Sequence, residues 1–369
     1  MKITRIEPVF LRLPYEHGGP KPPLGMGETR TTMDALLVRV ETDQGLTGWG
    51  EAFGFATTPV TLPAIRDIIA PLAVGREADD IAVLTTDLKR RLQNMMRGGP
   101  ARFALSALDI ALWDIRGKAE GKPIWRLLGG DGSRRTLPAY ASLTRTGAPE
   151  HVVTLCRSAV ERGYREIKLH ERNELTVESV KLAREAVGGD IELMLDTNCA
   201  WLPDEVMPMA RALAPFGLKW LEEPVYPTDD FRTMARVRAE TGVPVAAGEN
   251  LGTVQEFGCM IDADAVDFIQ PDVSKFGGIC EMMKAVDVAE AAGVSFTPHS
   301  PVYGPGLIAT LHIAAAMKQD TICEYYYADL AESPMGSWAV PQDGMFAVPD
   351  GPGLGAEVDE DAIARFRLN

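Results

Sequence analysis

The feature that most constrains this chain is a series of short apolar segments, each closed by an ionisable residue and spaced by about one strand–helix unit. After Leu137 the segments LPAYAS, EIKLH, IELMLD, LKWLEE, PVAAGE, VDFIQPD, VSFTPH and TICEYY follow one another, with helical stretches between them. Strand and helix alternating at this interval specify parallel βα units, and eight of them in about two hundred residues match the size of a β/α barrel. The closing residues are Lys168 and His170, then Asp196, Glu222, Glu249, Asp272, His299 and Glu324; from Asp196 onward the steps are 26, 27, 23, 27 and 25 positions. In a barrel the C-terminal ends of all strands converge on one mouth, where active sites lie. A single strand-end charge is most simply a solvated one. Seven consecutive strands ending in phase are not explained that way.

The first 130 residues have a different rhythm. Residues 1–14 alternate like a strand, and 15–30, rich in Gly and Pro, read as a loop. Residues 34–42 and 46–51 read as a hairpin about a DQG turn. From about residue 61 to 121 the pattern is helical, with Leu105, Leu108, Ala111, Leu112 and Ile115 on one face before Gly121 and Pro123 stop the helix. The expected fold class is α/β: a (β/α)8-type, modified TIM barrel over 131–335, an α+β module over 1–130, and a C-terminal segment, 336–369, returning to that module.

Acidic residues outnumber basic ones 52 to 37, for a net charge of −15, which argues against nucleic acid as a partner. A local cluster of cations and a metal would still admit a small anionic substrate. Cys156, Cys199, Cys259, Cys280 and Cys323 are scattered and odd in number, which predicts reduced, mostly buried thiols. The N-terminus lacks the apolar core of a signal peptide, and no stretch approaches the ~20 apolar residues that span a bilayer. A cytoplasmic protein with no membrane partner is expected.

Charge assigns the roles at the mouth. Asp196, Glu222 and Glu249 come from three successive strands and offer only oxygen. Three carboxylates repel unless a hard cation sits among them, and an all-oxygen set with open positions suits one Mg²⁺. Glu223 competes with Glu222 for this place, since neighbouring strand residues face opposite sides. Lys168 and His170 share a face and flank the metal on one side. The Asp272–His299 dyad, in which a carboxylate orients an imidazole, flanks it on the other. Such groups around a metal-bound carboxylate suit removal of the α-proton to give a metal-stabilised enolate. Glu324, if burial keeps it protonated, donates a hydrogen bond to the substrate; otherwise it pairs with Lys168 or Lys275.

In the spacing of LMLDTN, WLEEP, AAGEN, IQPDVSKFGG and TPHS, with ALWDIRGKAEGKPIWRLLGG before the barrel and DGPGLG after it, the chain resembles the mandelate racemase group of the enolase superfamily. The resemblance implies a capping domain over the barrel mouth, formed by the N-terminal module and completed by the tail. It also implies Mg²⁺ on Asp196, Glu222 and Glu249, an Asp272–His299 base, and Glu324 as hydrogen-bond donor. The loops 15–30 and 49–58 would close over the substrate, with His17 and Lys21 meeting a polar tail and Trp49, Phe53 and Phe55 forming an apolar wall. Asn198 and Lys275 are expected beside the site. The group's Lys-x-Lys motif is here Lys168-Leu169-His170. Either His170 replaces the second lysine as base, or Lys168 or His299 acts alone. Unlike groups on the two sides suit dehydration of an acid sugar to a 2-keto-3-deoxy acid. The alternatives are a racemase or epimerase of a hydroxy or amino acid, and a non-catalytic barrel. A homo-oligomer is the family-level expectation.

Overall fold

The computed structural model describes residues 1–17 and 31–368, except for the side chain of His17. Alternation builds the first sheet. In β1 (Ile3–His17), Val9, Leu11, Leu13 and Tyr15 turn inward while Arg12, Pro14 and Glu16 face out. β1 pairs antiparallel with β2 (Thr32–Thr42), and β2 with β3 (Thr47–Ala52), completing the expected hairpin.

The helix Pro100–Glu120 lies on this sheet, started by Gly99–Pro100 and ended by left-handed Gly121. Contact requires two glycines on β3: a Cβ on Gly48 would fall 2.2 Å from the Ala111 carbonyl oxygen, and one on Gly50 1.9 Å from that of Ala107. The five apolar positions expected on one face are all buried, but so are Arg102, Ser106, Asp109 and Asp114. Each of these polar groups pins the helix to another element. Arg102 donates to the Phe276 carbonyl at 3.0 Å, and the Ser106 hydroxyl accepts from Gly277 N–H. Asp109 accepts from Cys280 N–H, and Asp114 from the N–H groups of Trp49 and Leu354. Covered on every side from Ala101 to Leu112, this part of the helix has no solvent face to keep polar.

The eight expected segments form eight parallel strands: β4 (Thr136–Ser142), β5 (Glu166–His170), β6 (Glu192–Asp196), β7 (Trp220–Glu222), β8 (Val245–Ala247), β9 (Phe268–Ile269), β10 (Ser295–Phe296) and β11 (Cys323–Tyr326). Pairing runs in chain order from β4 to β10, with β11 beside β4. At the seam between β10 and β11, the Thr321 hydroxyl donates to the Phe296 carbonyl at 2.7 Å. Tyr140, Met194, Trp220, Ala246 and Ile322 form a buried cluster from five of the strand segments. Register sets the mouth: His170 lies opposite Asp196, Asp196 opposite Glu222, and Asp272 bridges His299.

The chain then ties the two layers together. β12 (Ala328–Leu330) joins the first sheet beside β1, and β13 (Met345–Ala347) pairs antiparallel with β4. After the helix Glu360–Phe366, Arg367 meets Glu7 and Leu368 N–H donates to the Phe10 carbonyl. All five cysteines are free; Cys156 and Cys323 are buried, whereas Cys259 is exposed. Among the described residues no helix is long and apolar enough to cross a membrane.

Candidate active site

Asp196 and Glu222 end β6 and β7, and Glu249 follows β8 by two residues. One carboxylate oxygen from each lies within 4.8 Å of the others. Ligands at ~2.1 Å around an octahedral Mg²⁺ are ~3.0 Å apart when adjacent and ~4.2 Å when opposite, so the three would draw inward to share one ion. No sulfur or nitrogen belongs to the group, which fits a hard cation.

Glu222 is held from beneath. Lys168 donates to its Oε1 at 2.7 Å, while Trp220 Nε1 and Gln270 Nε2 donate to Oε2 at 2.8 and 2.9 Å. Lys168, fully buried, also lies 3.1 Å from Glu324 and 4.0 Å from Asp196. Burial weakens its hold on the proton, but Glu222 and Glu324 outweigh that and keep it an ammonium. The expectation that burial protonates Glu324 is overturned. Burial does push the carboxyl up, but Lys168, His299, the Ser142 hydroxyl and Ser300 N–H bring it down to about 2. Glu324 therefore accepts hydrogen bonds and carries charge. It is the partner of Lys168 rather than of Lys275, which instead donates to Asn250 and lies over the Phe53 ring.

Two imidazoles flank the triad. His170 Nε2 lies 2.9 Å from Asp196 Oδ2, and its Nδ1 lies 2.6 Å from the Leu143 carbonyl. A carbonyl only accepts, so Nδ1 carries the proton and Nε2 faces the mouth. On the other side, His299 Nδ1 meets Asp272 at 2.7 Å and Nε2 meets Glu249 at 2.9 Å. Asp272 is itself held by the Ser274 N–H and hydroxyl, and the Ser274 carbonyl accepts from Phe53 N–H, linking the dyad to the N-terminal module.

The backbone around the mouth is unusual. Asn198, Cys199 and Glu223 adopt positive φ of 45°, 57° and 44°, a sparsely populated region that clusters at functional sites. Asn198 uses this turn to donate both its backbone and side-chain N–H to Asp196. Glu223 lies beyond the end of β7, so it turns away from Glu222 and accepts from Gly248 N–H and the Cys199 thiol. Phe53 and Phe55 stack at 5.2 Å, and Phe55 meets Tyr326 edge-on. Trp49 is no wall residue: it lies within β3, and its ring is buried in the core because alternation turns it there. The expected loop therefore starts after Ala52. Lys21 and the side chain of His17 lie outside the described residues. Sequence reasoning missed Ser142, Trp220, Gln270 and Arg145. Trp220 and Gln270 each stand two positions before a named carboxylate, a strand-face signal that was there to use.

Compared with known proteins, residues 18–129 match the family model for the mandelate racemase / muconate lactonizing enzyme N-terminal domain, and 151–362 match the enolase C-terminal domain-like model. The chain is 33% identical to D-galactarolactone cycloisomerase from Agrobacterium fabrum, over 90% of this chain and 91% of that one. It is 31% identical to arabinonate dehydratase from Saccharolobus solfataricus, over 91% of each. Among solved structures, a racemase from Streptomyces coelicolor with bound magnesium superposes with a TM-score of 0.85 at 30% identity, covering 99% of this chain and 100% of that one.

Proposed function

The chain belongs to the mandelate racemase / muconate lactonizing enzyme family of the enolase superfamily and is an enzyme of lyase or isomerase type, and we propose that it dehydrates an acid sugar to a 2-keto-3-deoxy acid. Asp196, Glu222 and Glu249 would hold Mg²⁺. Bound there, the ion would supply Lewis-acid stabilisation of the negative charge that builds on the substrate carboxylate. Lys168, an ammonium wedged under three carboxylates, offsets charge in the floor of the site and is not the base.

The observation that carries this reading is the unlike backing of the two imidazoles. His170 is backed at Nδ1 by the neutral Leu143 carbonyl, and its Nε2, which meets Asp196 at 2.9 Å, would take the α-proton once that carboxylate turns to an ion. His299 leans on a carboxylate, which raises its basicity, so it holds a proton to deliver to the departing β-hydroxyl. The C–H and C–O bonds break, water leaves, and the resulting enol tautomerises to the ketone. Racemisation asks for a base on each face, whereas elimination asks for one base and one acid. The arabinonate dehydratase among the relatives supports a reaction that removes water from a sugar acid.

The test is to incubate the protein with Mg²⁺ and a panel of sugar acids in D₂O, following 2-keto acid by carbonyl reagent and α-deuterium by NMR. Keto acid is expected. His170→Asn should lose both signals, and His299→Asn should lose keto acid while retaining exchange. Exchange with inversion and no keto acid would replace dehydration with epimerisation. No exchange with any acid would sink both.

A further inference from the structure

Arg145 stands three residues beyond the end of β4, on the rim of the mouth. Its Nη2 donates to Asn198 Oδ1, and Asn198 Nδ2 donates in turn to Asp196 Oδ2 at 2.8 Å. The guanidinium is thus two hydrogen bonds from a metal-ligand carboxylate. Its Nε is buried and meets no acceptor, and among the described residues it makes no ion pair. Burial and then the like charge of Arg172, two residues past β5, both weaken its hold on its proton. The nearby carboxylate of Glu171 is already committed, accepting from the N–H and hydroxyl of Thr146 and from Gly147 N–H. A partly buried guanidinium with a donor unmet is a costly arrangement that an anion would relieve. An arginine fork matches a carboxylate in shape as well as charge.

Resting on the reading above, we propose that Arg145 receives a second anionic group of the substrate: the far carboxylate of a sugar diacid, in preference to a monoacid. With the reacting carboxylate at the triad, the far end of the chain would run past His170 toward the rim formed by β4 and β5. Arg145 is then a specificity-determining residue. The competing role for it is as a prop that keeps Asn198 in its left-handed conformation.

The experiment uses the full-length, Mg²⁺-loaded protein and substrate pairs that differ only at the last carbon, galactarate against galactonate and glucarate against gluconate. Keto-acid formation and α-proton exchange are both measured. At least one diacid should exceed its monoacid mate in kcat/KM by ~10–100-fold, the range for one charge-assisted hydrogen-bonded pair. Arg145→Met should narrow that ratio by about tenfold or more, with the loss falling on KM for the diacid rather than on kcat, and Arg145→Lys should recover part of it. Preference for the monoacid in every pair would overturn the assignment while leaving the dehydratase reading intact. An equal loss on both members of a pair would reduce Arg145 to the prop for Asn198. No exchange with any of the four acids would remove the enolate chemistry on which the assignment rests.

Discussion

Glu222 has both oxygens engaged before any ion arrives. Trp220 and Gln270 both donate to Oε2 and Lys168 donates to Oε1, so the carboxylate is held against rotation. Donors that orient a ligand typically change metal affinity by ~10–100-fold. Trp220→Phe and Gln270→Leu should each weaken Mg²⁺ binding by about tenfold or more, read by calorimetry or by Mn²⁺ electron resonance in competition. Unchanged affinity in both would show that the ligand needs no such anchor. The ligands themselves were legible because strand-end carboxylates in phase form a local, countable pattern. The charge state of Glu324 was not, because it depends on Lys168, Ser142 and Ser300, none of them near it in sequence.

At the scale of elements, the N-terminal module is joined to the barrel through carboxylates at helix starts. Glu51 on β3 accepts from Gly306 N–H at 2.9 Å, at the beginning of the helix Pro305–Ala316. A Cβ on Gly304 would lie 2.6 Å from its Oε2, so the close approach needs glycine there. Burial pushes this carboxyl up from 4.5 to about 8, only partly offset by the backbone N–H groups. The native state therefore keeps a proton that the unfolded chain releases above 4.5. Glu51 should make stability fall as pH rises from about 4.5 to about 8, by up to ~1.4 kcal/mol per unit and a few kcal/mol in all. Thermal melts across that window should show the slope, and Glu51→Gln should flatten it; an equal slope in the variant would assign the effect elsewhere. Helix-on-sheet contact offers a second test. Gly50→Ala would force a methyl group to 1.9 Å from the Ala107 oxygen and should cost about 3 kcal/mol, measured by denaturant unfolding.

For the whole molecule, three clustered carboxylates make metal binding and stability one quantity. Mg²⁺ at a hundred times its Kd should add about 2.7 kcal/mol, seen as a rise in Tm that chelation reverses. Asp196→Asn should abolish most of that rise, and a full rise in this variant would place the ion elsewhere. By itself the sequence determined the eight βα units, the hairpin and helix of the first module, and which strand ends carry acids and imidazoles. These are written in local periods of two and of about 3.6 residues, and in the spacing between units. Only the tertiary structure decided that Trp49 lies in the core, that β12 crosses back to β1 and β13 to β4, that Glu324 is ionised, and that Glu51, Trp220, Gln270 and Arg145 matter at all. Charge state, burial and hydrogen-bond partnership come from groups far apart in the chain, and they take their values only when folding sets those groups within a few ångströms of one another.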